Sequence, residues 1–196
     1  PNITKLINLN EYLNLPVTHE KRIICALKIS DNPTIEEDEP GVSFNGNHHA
    51  RELMTVEAVF DIIETLLNSY DTDLSVKKYI NNLEIWCIPS MNPDGLEHVF
   101  KSDQWWRKNR RKNEGGSFGV DLNRNYPFKW SLCNGSSNNP ASDTYRGPSA
   151  SSEPEENVLA ALALKKRLVV NISYHSYGNV VLYPPYGCAN AKNPVG

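Results

Sequence analysis

From Gly41 to Pro89 the apolar residues change period twice, and that change limits the architectures open to this chain more than any other feature. Gly41-Val42-Ser43-Phe44-Asn45-Gly46 reads as a short strand. Val56, Val59, Phe60, Ile63, Leu66 and Leu67 then recur at helical spacing, with Glu57, Asp61, Glu64 and Asn68 opposite, which predicts a helix over 53–69. Leu83 to Pro89 is an apolar run of strand length leading into Ser90-Met91-Asn92-Pro93-Asp94-Gly95, a turn signal. Strand, loop, helix and strand in that order predict an α/β fold, a mixed or parallel central sheet flanked by helices.

The flanks extend the pattern. Residues 3–9 and 22–30 read as strands that pair antiparallel at the start of the sheet. Residues 130–151, rich in Ser, Asn, Gly and Pro, read as a long loop, and Ser152-Glu153-Pro154-Glu155 has the form of a capping box opening a helix to about Lys166. The run Leu168 to Tyr177 is β-branched and carries His175, which a buried parallel strand would deliver to the crevice where such sheets bind ligands.

The strand–helix junction at 46–53 holds His49 and Glu52, three residues apart. They read either as an ordinary solvated helix start or as two ligands of a borderline metal such as zinc, which accepts nitrogen and oxygen donors. Two residues do not complete a site, so a third ligand must come from elsewhere in the chain. The acidic loop Asp31 to Glu39 is either a solvated loop or a calcium-holding one, although it lacks the order of an EF-hand. Trp105 to Lys112 is a basic cluster with aromatics, usable for nucleic acid or, through an arginine, for a carboxylate or oxyanion. Asp121, Asn123 and Arg124 make either a salt-bridged turn or a clamp for a planar anion.

At 196 residues the chain suits one domain, and 39% hydrophobic and 22% charged residues with a net charge of -3 describe an ordinary globular composition. That charge implies neither a nucleic-acid nor a membrane partner, and no apolar run reaches the length of a membrane span. The chain opens on Pro1 rather than Met and shows no leader, so it is expected to be processed or incomplete. Cys25 and Cys87 lie in apolar runs and read as buried thiols, whereas Cys133 and Cys188 lie in loop-like sequence with their pairing open. No Cys-x-x-Cys spacing points to a thiolate zinc site.

His49-Ala50-Arg51-Glu52, Asn92-Pro93-Asp94-Gly95, Trp106-Arg107-Lys108-Asn109-Arg110, Gly119-Val120-Asp121-Leu122-Asn123-Arg124-Asn125 and Ser173-Tyr174-His175-Ser176-Tyr177 together resemble the zinc metallocarboxypeptidases of the carboxypeptidase A and B type. Ser30-Asp31-Asn32 with its acidic loop and Thr144-Tyr145-Arg146-Gly147 are similar to the bacterial carboxypeptidase T type, in which that loop takes part in calcium binding.

The resemblance implies one zinc ion held by His49, Glu52 and His175, with Asp121 orienting His49. It implies that Asn123 and Arg124 grip the C-terminal carboxylate of a peptide, that Arg107 polarises the scissile carbonyl, and that Arg51 and Tyr177 line upstream subsites. It further implies a secreted exopeptidase acting on peptide C-termini. In the family the general-base glutamate and a capping tyrosine lie well beyond the second zinc histidine. The 196 residues are therefore expected to be the N-terminal two thirds of one catalytic domain, lacking its C-terminal part and poorly active alone. The alternative is an inactive module that binds zinc and peptide ends without the base.

Overall fold

The structure, a computed structural model, describes residues 2–132 and 135–183. The sheet is built from β1 (Thr4–Asn8), β2 (Cys25–Ile29), β3 (Gly41–Asn45), β4 (Glu84–Ile88) and β5 (Leu168–Ser173). The helices are α1 (Leu9–Tyr12), α2 (Met54–Ser69), α3 (Leu74–Ile80), α4 (Pro93–Lys101) and α5 (Pro154–Lys165), with a 3-10 turn at Leu122–Arg124. The strand order is β1-β2-β4-β3-β5, in which β1, β2 and β4 pair antiparallel and β4, β3 and β5 run parallel. The mixed sheet expected from the sequence is therefore present, with β5 on its edge.

Alternation along the strands sorts side chains between two layers of helix. Ile29, Ile85 and Cys87 turn toward α2 and α3, where Val59, Ile63, Tyr70 and Ile80 close one core. Ala26, Trp86 and Ile88 turn the other way, toward Val158, Leu159 and Leu162 of α5. The periodicity of α2 is satisfied through Thr55, Val59 and Ile63, whereas Phe60 from the predicted apolar face is 46% exposed. Cys87 is buried, but Cys25 is only half-buried, and Cys133 and Cys188 fall outside the described residues.

Three local expectations change. Asn92-Pro93-Asp94-Gly95 is not a free turn: Pro93 occupies the first turn of α4 and the Asn92 side chain accepts from the Gly95 N–H, so the same letters start a helix. The capping box does not form, because Glu153 is the N-cap of α5, Ser152 donates to the Glu153 carboxylate, and Glu155 turns to the Asn109 amide. β5 is parallel, as expected, but among the described residues it is not buried, with Val169 65%, Val170 46% and Ile172 40% exposed.

Two glycines allow close approaches that position the site. A Cβ on Gly41 would lie 2.7 Å from Leu168 Cδ2 and 2.9 Å from the Lys166 carbonyl, where β5 enters beside β3. A Cβ on Gly46 would lie 2.5 Å from the Thr55 carbonyl oxygen, so only glycine lets the end of β3 pass against the first turn of α2.

At the start of α5, Glu156 is buried and neither carboxylate oxygen has a hydrogen-bond partner among the described residues. Burial pushes its carboxyl up to about 7. Because the folded-state value lies above the unfolded one, stability is greatest below the unfolded value near 4.5 and is lost as pH rises toward 7. Glu156→Gln is expected to remove that loss, raising stability on the order of 2–3 kcal/mol at pH 8 and leaving it nearly unchanged at pH 4. Urea unfolding at the two pH values measures the difference, and an equal effect at both would exclude the buried charge as its cause.

Candidate metal centre

The parallel register of β3 and β5 assembles the site. Asn45 pairs with Ser173, so both strands end at one level, and the residues just beyond them, His48 to Glu52 and His175, meet above the sheet. Asn47 turns the chain there with φ of 58°, a left-handed conformation that Asn tolerates. Its backbone N–H donates to Thr55 Oγ1 and its side-chain amide to the carbonyls of His49 and Ala50, while its Oδ1 accepts from Ser90. Asn92 donates from its amide to the carbonyls of His48 and Lys108. The loop carrying the histidines is thus fixed from both sides.

Donor atoms of His49, Glu52 and His175 all lie within 4.8 Å of one another. His49 Nδ1 is 2.8 Å from Glu52 Oε1, His175 Nδ1 is 3.0 Å from Glu52 Oε2, and the two Nδ1 atoms are 3.1 Å apart. The Ser176 N–H also donates to Glu52 Oε2. Burial opposes ionisation of Glu52, but hydrogen bonds from His175 and His49 outweigh it and hold the carboxyl down at about 2.

Behind the ring of His49 lies Asp121, fully buried, whose Oδ1 is 3.1 Å from His49 Nε2 and also accepts from the Asn123 N–H. Its other oxygen accepts from Nε and Nη2 of Arg107 at 3.1 and 3.0 Å. Burial would raise this carboxyl, yet the hydrogen bond to His49 and the charges of His49 and Arg107 keep it below its ordinary value. Arg107 Nη1 stands 4.0 Å from Glu52 Oε1, so the guanidinium is clamped at the rim of the three-residue cluster.

The remaining predicted residues are more dispersed. Asn123 and Arg124 lie on the 3-10 turn that Asp121 caps, and Arg124 donates to the carbonyls of Gly135 and Asn123. Arg51 donates to the Trp105 carbonyl and lies 3.5 Å from Asp143. Tyr177 is fully exposed and is not drawn into the cluster. The basic run is spent within the protein: Arg110 stacks on Trp106 and Phe118, Arg111 pairs with Glu153, and Lys108 donates to the Pro140 carbonyl.

Sequence reasoning gave no role to His48, which is 2% exposed directly behind the site. Its Nε2 is 2.7 Å from the Tyr126 hydroxyl and its Nδ1 is 3.2 Å from Ser173 Oγ. Burial, reinforced by the neighbouring imidazoles, pushes its pKa down to about 3, so the ring is neutral. Its place beside His49 was the only signal in the sequence.

Among the described residues two other groups of potential ligands occur. In His19, Glu153 and Glu155, the Glu153 carboxylate already receives His19, Arg111, Asn109 and Ser152. In the acidic loop, Asp31, Glu37 and Glu39 converge, with Glu37 taken up by Ser30 and Asn32.

Residues 5–194 match the family model described as zinc carboxypeptidase. The chain is 35% identical over 190 residues to metallocarboxypeptidase A of Arthroderma otae, covering 94% of this chain and 44% of that protein. It is 36% identical over 186 residues to zinc carboxypeptidase A 1 of Anopheles gambiae, covering 94% and 41% respectively. The crystal structure of carboxypeptidase A from Helicoverpa armigera superposes with a TM-score of 0.78 at 32% identity, over 91% of this chain and 42% of the other. The chain spans less than half the length of these relatives. None of these likenesses points to calcium, and the acidic loop is left without support as a calcium site.

Proposed function

The chain belongs to the zinc carboxypeptidase family, and we propose that it holds one zinc ion through His49, Glu52 and His175 and serves the removal of single residues from peptide C-termini. One observation carries the reading: Nδ1 of His49 and Nδ1 of His175 face each other at 3.1 Å, with a different oxygen of Glu52 at each. Two ring lone pairs at that separation repel unless a proton or cation lies between them. Two imidazoles and one carboxylate are also a donor set of catalytic zinc, which keeps a fourth position open. Zinc bound there would supply a Lewis acid and a water whose pKa is lowered toward neutrality.

The chain's own residues divide the remaining work. Asp121 accepts from His49 Nε2 and so keeps the Nδ1 lone pair turned toward the ion. Arg107, held on Asp121, sets a positive charge beside the cluster, where negative charge develops on the scissile carbonyl oxygen. Arg124 and Asn123, carried on the turn that Asp121 caps, grip the terminal carboxylate and make the site selective for chain ends. Arg51 and Tyr177 lie toward upstream residues of the peptide. The substrates are peptide or protein C-termini outside the cell; secretion is inferred from the family, and no helix among the described residues is long and apolar enough to cross a membrane.

Titrating the zinc-loaded chain with a short N-acylated peptide and with its C-terminal amide tests the reading. The free acid is expected to bind tighter by about 10-fold or more, since a charged hydrogen-bonded contact contributes roughly 1.5–3 kcal/mol. Arg124→Ala should erase the difference. Equal binding of acid and amide to the wild-type chain would overturn the carboxylate clamp.

A further inference from the structure

One loop at the candidate metal centre carries His49 and Glu52 and another carries Arg107, and a single buried side chain is bonded to the backbone of both. Asn92 Nδ2 donates to the His48 carbonyl at 3.2 Å and to the Lys108 carbonyl at 3.1 Å, while its Oδ1 accepts from the Gly95 N–H at 2.9 Å. Carbonyls only accept and a backbone N–H only donates, so one orientation of the amide satisfies all three contacts.

The two carbonyls flank the groups that the chemistry uses. That of His48 belongs to the peptide leading into His49, and that of Lys108 lies one residue beyond Arg107. On the other side of His49, the Ala50 N–H donates to the Arg107 carbonyl at 2.9 Å. Both peptide planes beside His49 are thus bonded, through Asn92 or directly, to the segment that carries Arg107. Asp121 holds the head of that guanidinium and these backbone bonds hold its root, and together they fix the 4.0 Å between Arg107 Nη1 and Glu52 Oε1.

Gly95 shows how little slack the junction has. A Cβ there would lie 2.6 and 2.7 Å from the nitrogen and oxygen of the Asn92 amide and 2.7 Å from the Lys108 carbonyl oxygen. Gly95 sits in the first turn of α4, where alanine is the better helix former, so the space that alanine needs is what the junction already fills.

We propose that Asn92 is a positioning residue: by tying the His48 and Lys108 carbonyls together it sets the spacing between the metal ligands and Arg107, and with it the fit of the site to the negative oxygen that develops on the scissile carbonyl. The inference rests on the zinc reading above and deepens it.

The test compares the wild-type chain with Asn92→Ser, which keeps a helix-capping oxygen and removes both amide protons, and with Gly95→Ala, which crowds the same junction while favouring the helix. Asn10→Ala is the control, since buried Asn10 likewise joins two segments, at the Pro16 carbonyl and the Ile24 N–H, but neither carries a site residue. Each chain is saturated with zinc and titrated with a peptide phosphonate, whose charged oxygens stand in for the developing oxyanion, and with the plain peptide acid. Asn92→Ser and Gly95→Ala are each expected to lose about 10-fold or more in phosphonate affinity, with the acid bound within about 3-fold of wild type. Asn10→Ala should keep the wild-type preference even where it lowers stability. The visible spectrum of the cobalt-loaded chains should shift in the two junction variants and not in the control. Gly95→Ala decides the matter if Asn92→Ser fails to fold. A wild-type phosphonate preference in Gly95→Ala, or an equal loss in Asn10→Ala, overturns the inference. A zinc-loaded wild type that binds phosphonate and acid alike overturns it while the metal reading stands, and a wild type that takes up no zinc overturns both.

Discussion

Glu52→Gln and His175→Ala are each expected to leave the purified chain without zinc, while the wild type carries about one ion per chain and Asp121→Asn an intermediate amount. The order follows from what each side chain touches. Among the described residues Glu52 alone is bonded to both imidazoles, so neutralising it would remove a ligand and also the charge that offsets the cation. His175 would supply the ligand that lies beyond the end of β5, and without it the two survivors belong to a single short loop. Asp121 acts through His49 and should cost only about 10–100-fold in affinity. Metal content after gel filtration ranks the variants directly. A second readout is thermal: zinc at about a thousand times its dissociation constant should stabilise the wild type by about 4 kcal/mol and the two ligand variants not at all. Zinc retained at the wild-type level in His175→Ala would mean that the ion sits elsewhere.

The difference between what the chain's letters reveal and what they conceal follows the range of the interactions. β1 to β3 were legible as short apolar stretches between turn signals, α2 because it buries one face and repeats with that period, and β4 as an unbroken apolar run buried on both faces. α3 was missed because, over seven residues, only Ile80 is buried, too little to leave a period. α4 was missed because Asn-Pro-Asp-Gly spells a turn as readily as a capped first turn, and the choice falls to Asn92, which also holds the carbonyls of His48 and Lys108. At the site, His49 and Glu52 could be paired from spacing alone. His175 could be joined to them only through the resemblance, since the convergence depends on β5 lying parallel to β3 in one register. The exposure of β5 and the placement of His48 carry no periodic signal, for one depends on strand order and the other on two hydroxyl contacts from distant segments.

Far from the candidate metal centre, Glu84→Ala is expected to cost about 3–5 kcal/mol of stability, the loss that follows when a buried charge is stripped of its partner. Glu84 lies inside β4, 1% exposed, with Lys28 Nζ 2.6 Å from one carboxylate oxygen and Lys166 Nζ 2.8 Å from the other. Both ammonium groups are themselves buried, Lys28 beneath the sheet and Lys166 where the chain enters β5. Removing the carboxylate leaves Lys28 with the Ile35 carbonyl alone and Lys166 with Glu36, a largely exposed partner whose pairing is screened by water. Glu36→Ala supplies the comparison: it removes the outer arm of the same network and should cost no more than about 1 kcal/mol. The two variants are compared by their urea midpoints at unchanged m-value, so that the shift reports stability and not a changed unfolded state. A Glu84→Ala cost as small as that of Glu36→Ala would show that water already reaches the pair, and would remove the reason for a charged residue in the middle of a buried strand.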